Sequence, residues 1–142
     1  MSREASLEIK LNRDSVNPIE LLKDFKTIGW WFRNGIMEYL PLDDNDMFNW
    51  TESPLSEEKL FSIITEKEHQ QEVNGVILYY QNTDTGITLF PHDMNLIDIS
   101  VNINRKTIDG KYTDFSWYSQ HIAASLEKLN YHIEEIIFTE YA

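Results

Sequence analysis

Residues 97–104 alternate without a break: Ile97, Ile99, Val101 and Ile103 on one side, Asp98, Ser100, Asn102 and Asn104 on the other. Successive side chains of a strand point to opposite faces, so this segment needs an apolar cover on one face and water on the other. Antiparallel sheets tolerate one wet face better than parallel sheets do. The chain is therefore expected to build a mainly antiparallel sheet with something apolar packed on one side.

Three segments have the pattern of that cover. Asn17-Pro18-Ile19-Glu20 is a helix start, with Asn17 placed to cap and Pro18 suited to the first helical position. Leu21, Phe25 and Ile28 follow at helical spacing, and Gly29 supplies a stop. A second helix is predicted to begin at Ser53-Pro54 or Ser56, with a stripe of Leu60, Phe61 and Ile64 and a polar, frayed end over residues 65–72. A third, capped by Thr113 or Asp114, carries Phe115, Tyr118, Ile122, Leu126 and Leu129.

The remaining strands are predicted from composition. Leu7 to Leu11 alternates, Val76–Tyr80 and Ile87–Phe90 flank a turn at Gly86, and Tyr131–Tyr141 is rich in isoleucine. Asn34-Gly35 between aromatic and β-branched residues predicts a hairpin, and Asp109-Gly110 a turn. The order is near β-α-ββ-α-βββ-α-β. The expectation is an α+β fold, a mainly antiparallel sheet with about three helices packed on one face. With no repeat or linker-like run, residues 1–142 read as a single domain.

The absence of cysteine excludes disulfides, thiolate metal sites and a cysteine nucleophile. The N-terminal residues lack the apolar core of a secretion signal, and no apolar run approaches a membrane span. A cytoplasmic protein without membrane association is expected.

The formal charge is −12, and it is unevenly spread. Residues 34–104 hold thirteen acids against Lys59 and Lys67, a net of −11. Within residues 34–58 lie Glu38, Asp43, Asp44, Asp46, Glu52, Glu57 and Glu58, with no Lys or Arg. Such a field repels nucleic acid and anionic membrane and attracts a basic surface. Solubility alone accounts for many acidic proteins, but this concentration also contains aromatics, as a binding face requires.

Few residues point to catalysis. Phe90-Pro91-His92-Asp93 sets His92 beside Asp93 in a predicted loop, a pair from which a small metal-dependent or acid-base enzyme could be built. No nucleophile elbow and no phosphate-cradling glycine loop accompanies it. His69 with Glu72 reads as part of a solvated helix, and His121 as a histidine packed at the edge of an apolar stripe. Asp43-Asp44-Asn45-Asp46 has the oxygens of a calcium loop but not its spacing or its glycine. No metal site and no cofactor are expected.

A small, cysteine-free, acidic and aromatic-rich α+β chain, with the acidic segment Asp43-Asp44-Asn45-Asp46, resembles the immunity proteins of bacterial toxin systems. The resemblance implies a protein without catalytic activity that neutralises a toxin, often a nuclease, by direct binding. The expected partner is then a basic protein such as a nuclease toxin domain, with no direct contact to nucleic acid. Asp43, Asp44, Asp46, Trp50 and Glu52 are the expected contacts, with Glu57 and Glu58 steering from the rim. A nucleic-acid mimic that blocks a DNA-binding protein is the alternative, and an aromatic face equally suits a homodimer.

Overall fold

A computed structural model describes residues 3–12, 17–91 and 95–141. His92 and Asp93 lie outside the described residues.

The alternating segment forms β7 (Leu96–Ile103), inside a sheet whose strand pairs are all antiparallel. In spatial order the strands are β10 (Ile133–Tyr141), β1 (Glu4–Leu11), β7, β6 (Gly86–Phe90), β5 (Val76–Tyr80), β3 (Met37–Tyr39) and β4 (Thr51–Ser53). The short β2 (Trp30–Trp31) also pairs with β5. A two-stranded hairpin, β8 (Thr107–Ile108) and β9 (Tyr112–Thr113), turns through Asp109-Gly110, both at positive φ.

Register explains where the core sits. Phe138, Leu7, Ile99, Leu89, Val76 and Tyr39 lie opposite one another in turn across the sheet, and the middle four are fully buried. One residue along, the row reads Thr139, Ser6, Ser100, Thr88, Ile77 and Glu38, and this face is open. A one-residue slip would exchange the two rows, so burial of the first fixes the pairing.

Three helices cover the apolar row. α1 (Pro18–Thr27) is capped by Asn17, whose side chain accepts the N–H groups of Ile19 and Glu20. It contributes Leu21, Leu22 and Phe25 to the core, and α2 (Glu57–His69), capped by Ser56, contributes Leu60 and Ile64. α3 begins at Phe115 under an Asp114 cap and runs through Phe115–Tyr118, a wider π turn over Ser119–Ala123, and Ala124–Glu127. It contributes Tyr118, Ile122 and Leu126 to the same core. The π turn sits where His121 stacks beside Tyr80 and Trp117, at 4.8 and 4.5 Å between ring centroids. Fully buried Trp30 donates its indole N–H to the His121 carbonyl at 3.0 Å.

Two expectations are corrected. Asn34-Gly35 does form a turn, with φ of 56° and 68°, closed by an Arg33–Ile36 bridge. The flanking strands, however, both pair with β5, so the turn is an excursion from a broken strand rather than the tip of a hairpin. The end of α2 is not wholly solvated either: Lys67 is fully buried, its ammonium donating to the Pro41 carbonyl at 2.7 Å.

No helix among the described residues is long and apolar enough to cross a membrane.

Candidate binding loop

Residues 40–50 connect β3 to β4 and contain the acidic segment Asp43-Asp44-Asn45-Asp46. Four of them, Asp43, Asn45, Asp46 and Phe48, have φ between 51° and 58°. Asp and Asn adopt this left-handed region readily, but an aromatic residue there is strained by about 1 kcal/mol or more. Such a backbone persists only where its surroundings hold it.

The hold comes from carboxylates aimed inward at amides. Asp44, 4% exposed, accepts the N–H groups of Phe48 and Asn49, both at 2.9 Å. Glu72, just past α2, accepts from Asn45 at 3.1 Å and from Asp43 at 3.4 Å. Asp46 accepts from the N–H of Val73 at 2.9 Å. The Lys67 ammonium, bonded to Pro41, lies 4.0 Å from Glu72 and balances its charge. Leu40 closes the base, donating to the Gly75 carbonyl at 3.0 Å.

A backbone so held presents apolar side chains to water. Met47 is 70%, Phe48 48%, Leu42 40% and Trp50 38% exposed. Phe90, on the open face of β6, is a common floor for two of them, with ring centroids 6.4 Å from Phe48 and 6.3 Å from Trp50. Gly75 is what lets the indole settle. A Cβ there would stand 2.8 Å from Trp50 Cη2 and 3.0 Å from Leu40 Cδ1.

Negative charge flanks the apolar apex. Asp43 and Asp46 are exposed beside it, and Glu52 follows on β4. Glu52 lies directly opposite Glu38 across the β3–β4 pair, an arrangement of like charges that opposes pairing. The Tyr79 hydroxyl donates to Glu38 at 3.2 Å, and the Arg33 guanidinium stacks 3.8 Å over the Tyr79 ring. Burial, then the neighbouring Glu38 carboxylate, push the Tyr79 phenol above its usual 10.0, with Arg33 pulling the other way.

The expected contact residues thus divide. Asp43, Asp46, Glu52 and Trp50 come together around the apex, although one oxygen of Asp46 is engaged by Val73. Asp44 belongs to the interior framework, because a buried carboxylate holding two amides has no surface to offer. Glu57 and Glu58 lie on the first turn of α2, and Glu57 is ion-paired with Lys26 of α1. The ten-residue separation between Glu57 and Lys67 spans about 15 Å of helix, so these two acids stand away from the loop's anchor.

Sequence reasoning favoured Trp50 but passed over Met47, Phe48 and the framework role of Glu72. The signal was present: Met47-Phe48-Asn49-Trp50 is an apolar cluster inside an acidic segment with no helix or strand period. Among the described residues no three His, Asp or Glu side chains converge as a metal site. No family model, curated protein or solved structure matches the chain.

Proposed function

We propose that this chain is a protein-binding module of the immunity type, which neutralises a basic, nuclease-like toxin by seating the 40–50 loop against it. One observation carries the reading: a strained loop held by inward carboxylates presents Met47, Phe48 and Trp50 to solvent within an acidic surround. Methionine and aromatics are enriched at the centres of protein interfaces, and a framework already fixed before binding reduces the ordering entropy that association costs. Complementary charge at the rim accelerates encounter. A cation from the partner beside Glu38 and Glu52 would also relieve their mutual repulsion.

The test is a pull-down with the tagged chain from its native lysate at low and high salt, run beside a Phe48→Ser/Trp50→Ser variant, with mass spectrometry of the retained proteins. The expected result is a single stoichiometric basic partner, held more weakly as salt rises and lost with the variant. A partner retained equally by the variant would move the interface off this loop. An acidic partner, or retention indifferent to salt, would reject the electrostatic part of the reading.

A further inference from the structure

The sheet's two edges are treated very differently. β4 has three residues, a length too short to template another strand, whereas β10 has nine and has one strand neighbour, β1, among the described residues. Proteins blunt edge strands with brevity, proline, charged side chains or bulges. β10 contains neither proline nor lysine; its bulge, at Glu134, and its charges, Glu134, Glu135 and Glu140, flank a central Ile136–Thr139 run, and its register against β1 is unbroken from Glu135 to Tyr141. On its open face Ile137, opposite Glu8, is 45% exposed. On its core face Ile136 and Phe138, opposite Ile9 and Leu7, are only partly buried, because the sheet ends there.

We propose that β10 pairs antiparallel with β10 of a second copy about a two-fold axis at Ile137. One continuous sheet then carries the helices of both copies on the same face. This inference is independent of the loop, which lies toward the other end of the sheet.

The sequence selects the register. A two-fold axis perpendicular to the sheet keeps core face beside core face, so a residue pairs with itself at the axis and its neighbours pair symmetrically about it. With Ile137 at the axis, Ile136 meets Phe138 on the core face and Glu135 meets Thr139 on the open face. Moving the axis to Ile136 would set Phe138 against Glu134 and Ile137 against Glu135. Moving it to Phe138 would set Ile136 against Glu140 and Tyr141 against Glu135. Only the first register joins apolar to apolar at every central position.

Its remaining conflict is Glu134 near Glu140, and each has a cation at hand: Lys10 Nζ is 3.9 Å from Glu134 and Arg105 Nη1 is 3.4 Å from Glu140. Because each copy carries −12, added salt should strengthen this association, opposite to its effect on a basic partner at the loop.

The test is sedimentation velocity on the full chain over a range of concentrations at low and high salt. The expected result is a monomer–dimer equilibrium shifted toward dimer by salt, and a purely monomeric Ile137→Lys variant with unchanged circular dichroism. A second variant fixes the register. The chain has no cysteine, and directly opposed residues in an antiparallel pair have Cα atoms about 4.5 or 5.5 Å apart, within disulfide reach. Ile137→Cys should therefore crosslink to itself under a mild oxidant, whereas Thr139→Cys, which faces Glu135, should not. A monomer at high concentration and high salt, a dimer that survives Ile137→Lys, or equal crosslinking by both cysteine variants would overturn the proposal.

Discussion

The Asp44 carboxylate accepts the backbone N–H of Phe48 at 2.9 Å, so a buried acid sets the left-handed backbone from which an exposed aromatic ring projects. Replacing Asp44 with Ala leaves the N–H groups of Phe48 and Asn49 without their acceptor. A loss of about 1–3 kcal/mol is expected, the usual result of orphaning such groups. Denaturant unfolding would measure it, and hydrogen exchange should show protection lost first at amides 48 and 49. Unchanged protection there would show that Asp44 does not hold the loop.

Gly75 and Trp50 form a second coupled pair. Gly75→Ala places a methyl where the Trp50 indole and the Leu40 side chain already lie, and should destabilise by about 1–3 kcal/mol through overpacking. In a Trp50→Ala background the penalty should shrink, giving a coupling energy of at least about 0.5 kcal/mol in a double-mutant cycle. Additive effects would mean that Leu40 alone sets the restriction.

Lys67→Met keeps the aliphatic stem but removes the ammonium that serves the Pro41 carbonyl and balances Glu72. About 1–3 kcal/mol of stability should be lost. Under the proposed function the change should also weaken capture of the partner by the loop, although Lys67 has no exposed surface. Partner affinity equal to wild type would separate the anchor from recognition.

Glu140 gives the fold a pH response. Burial alone would raise its pKa, but hydrogen bonds from Thr113 and the charges of Arg105 and Arg3 outweigh this and hold it below the usual 4.5. A carboxylate with a depressed folded pKa contributes stability that is fully present above its unfolded value and lost as pH falls through the folded one. Glu140→Gln should therefore lower stability at neutral pH and flatten its decline below about pH 4.5. An identical acid limb in the variant would assign that decline to other carboxylates.

What the sequence disclosed depended on how local the determinants were. The alternation from Ile97 to Ile103 and the cap at Asn17 act within a few residues, and both elements form where the pattern places them. The Asn34-Gly35 turn was equally legible, but whether Trp31 and Glu38 pair with each other or with β5 is decided by Tyr79 and Ile77, 48 and 39 positions away. Lys67 looked like part of a wet helix face because its partner, the Pro41 carbonyl, is a backbone group that no pattern marks. Asp44 and Asp43 are indistinguishable as letters. Only the fold of the loop turns one carboxylate in and leaves the other out.

Apart from the Asp46 carboxylate, which accepts from Val73, the bonds that clamp the 40–50 loop end on its main-chain atoms: the amides of residues 40, 43, 45, 48 and 49 and the carbonyl of residue 41. The side chains at positions 47, 49 and 50 take no part in these bonds, and of the three Trp50 packs against the scaffold, on Gly75 and Phe90. They can be exchanged through mutation while the scaffold beneath stays the same. Under the proposed binding role, a lineage carrying this chain could follow a changing partner by rewriting three letters, without refolding anything.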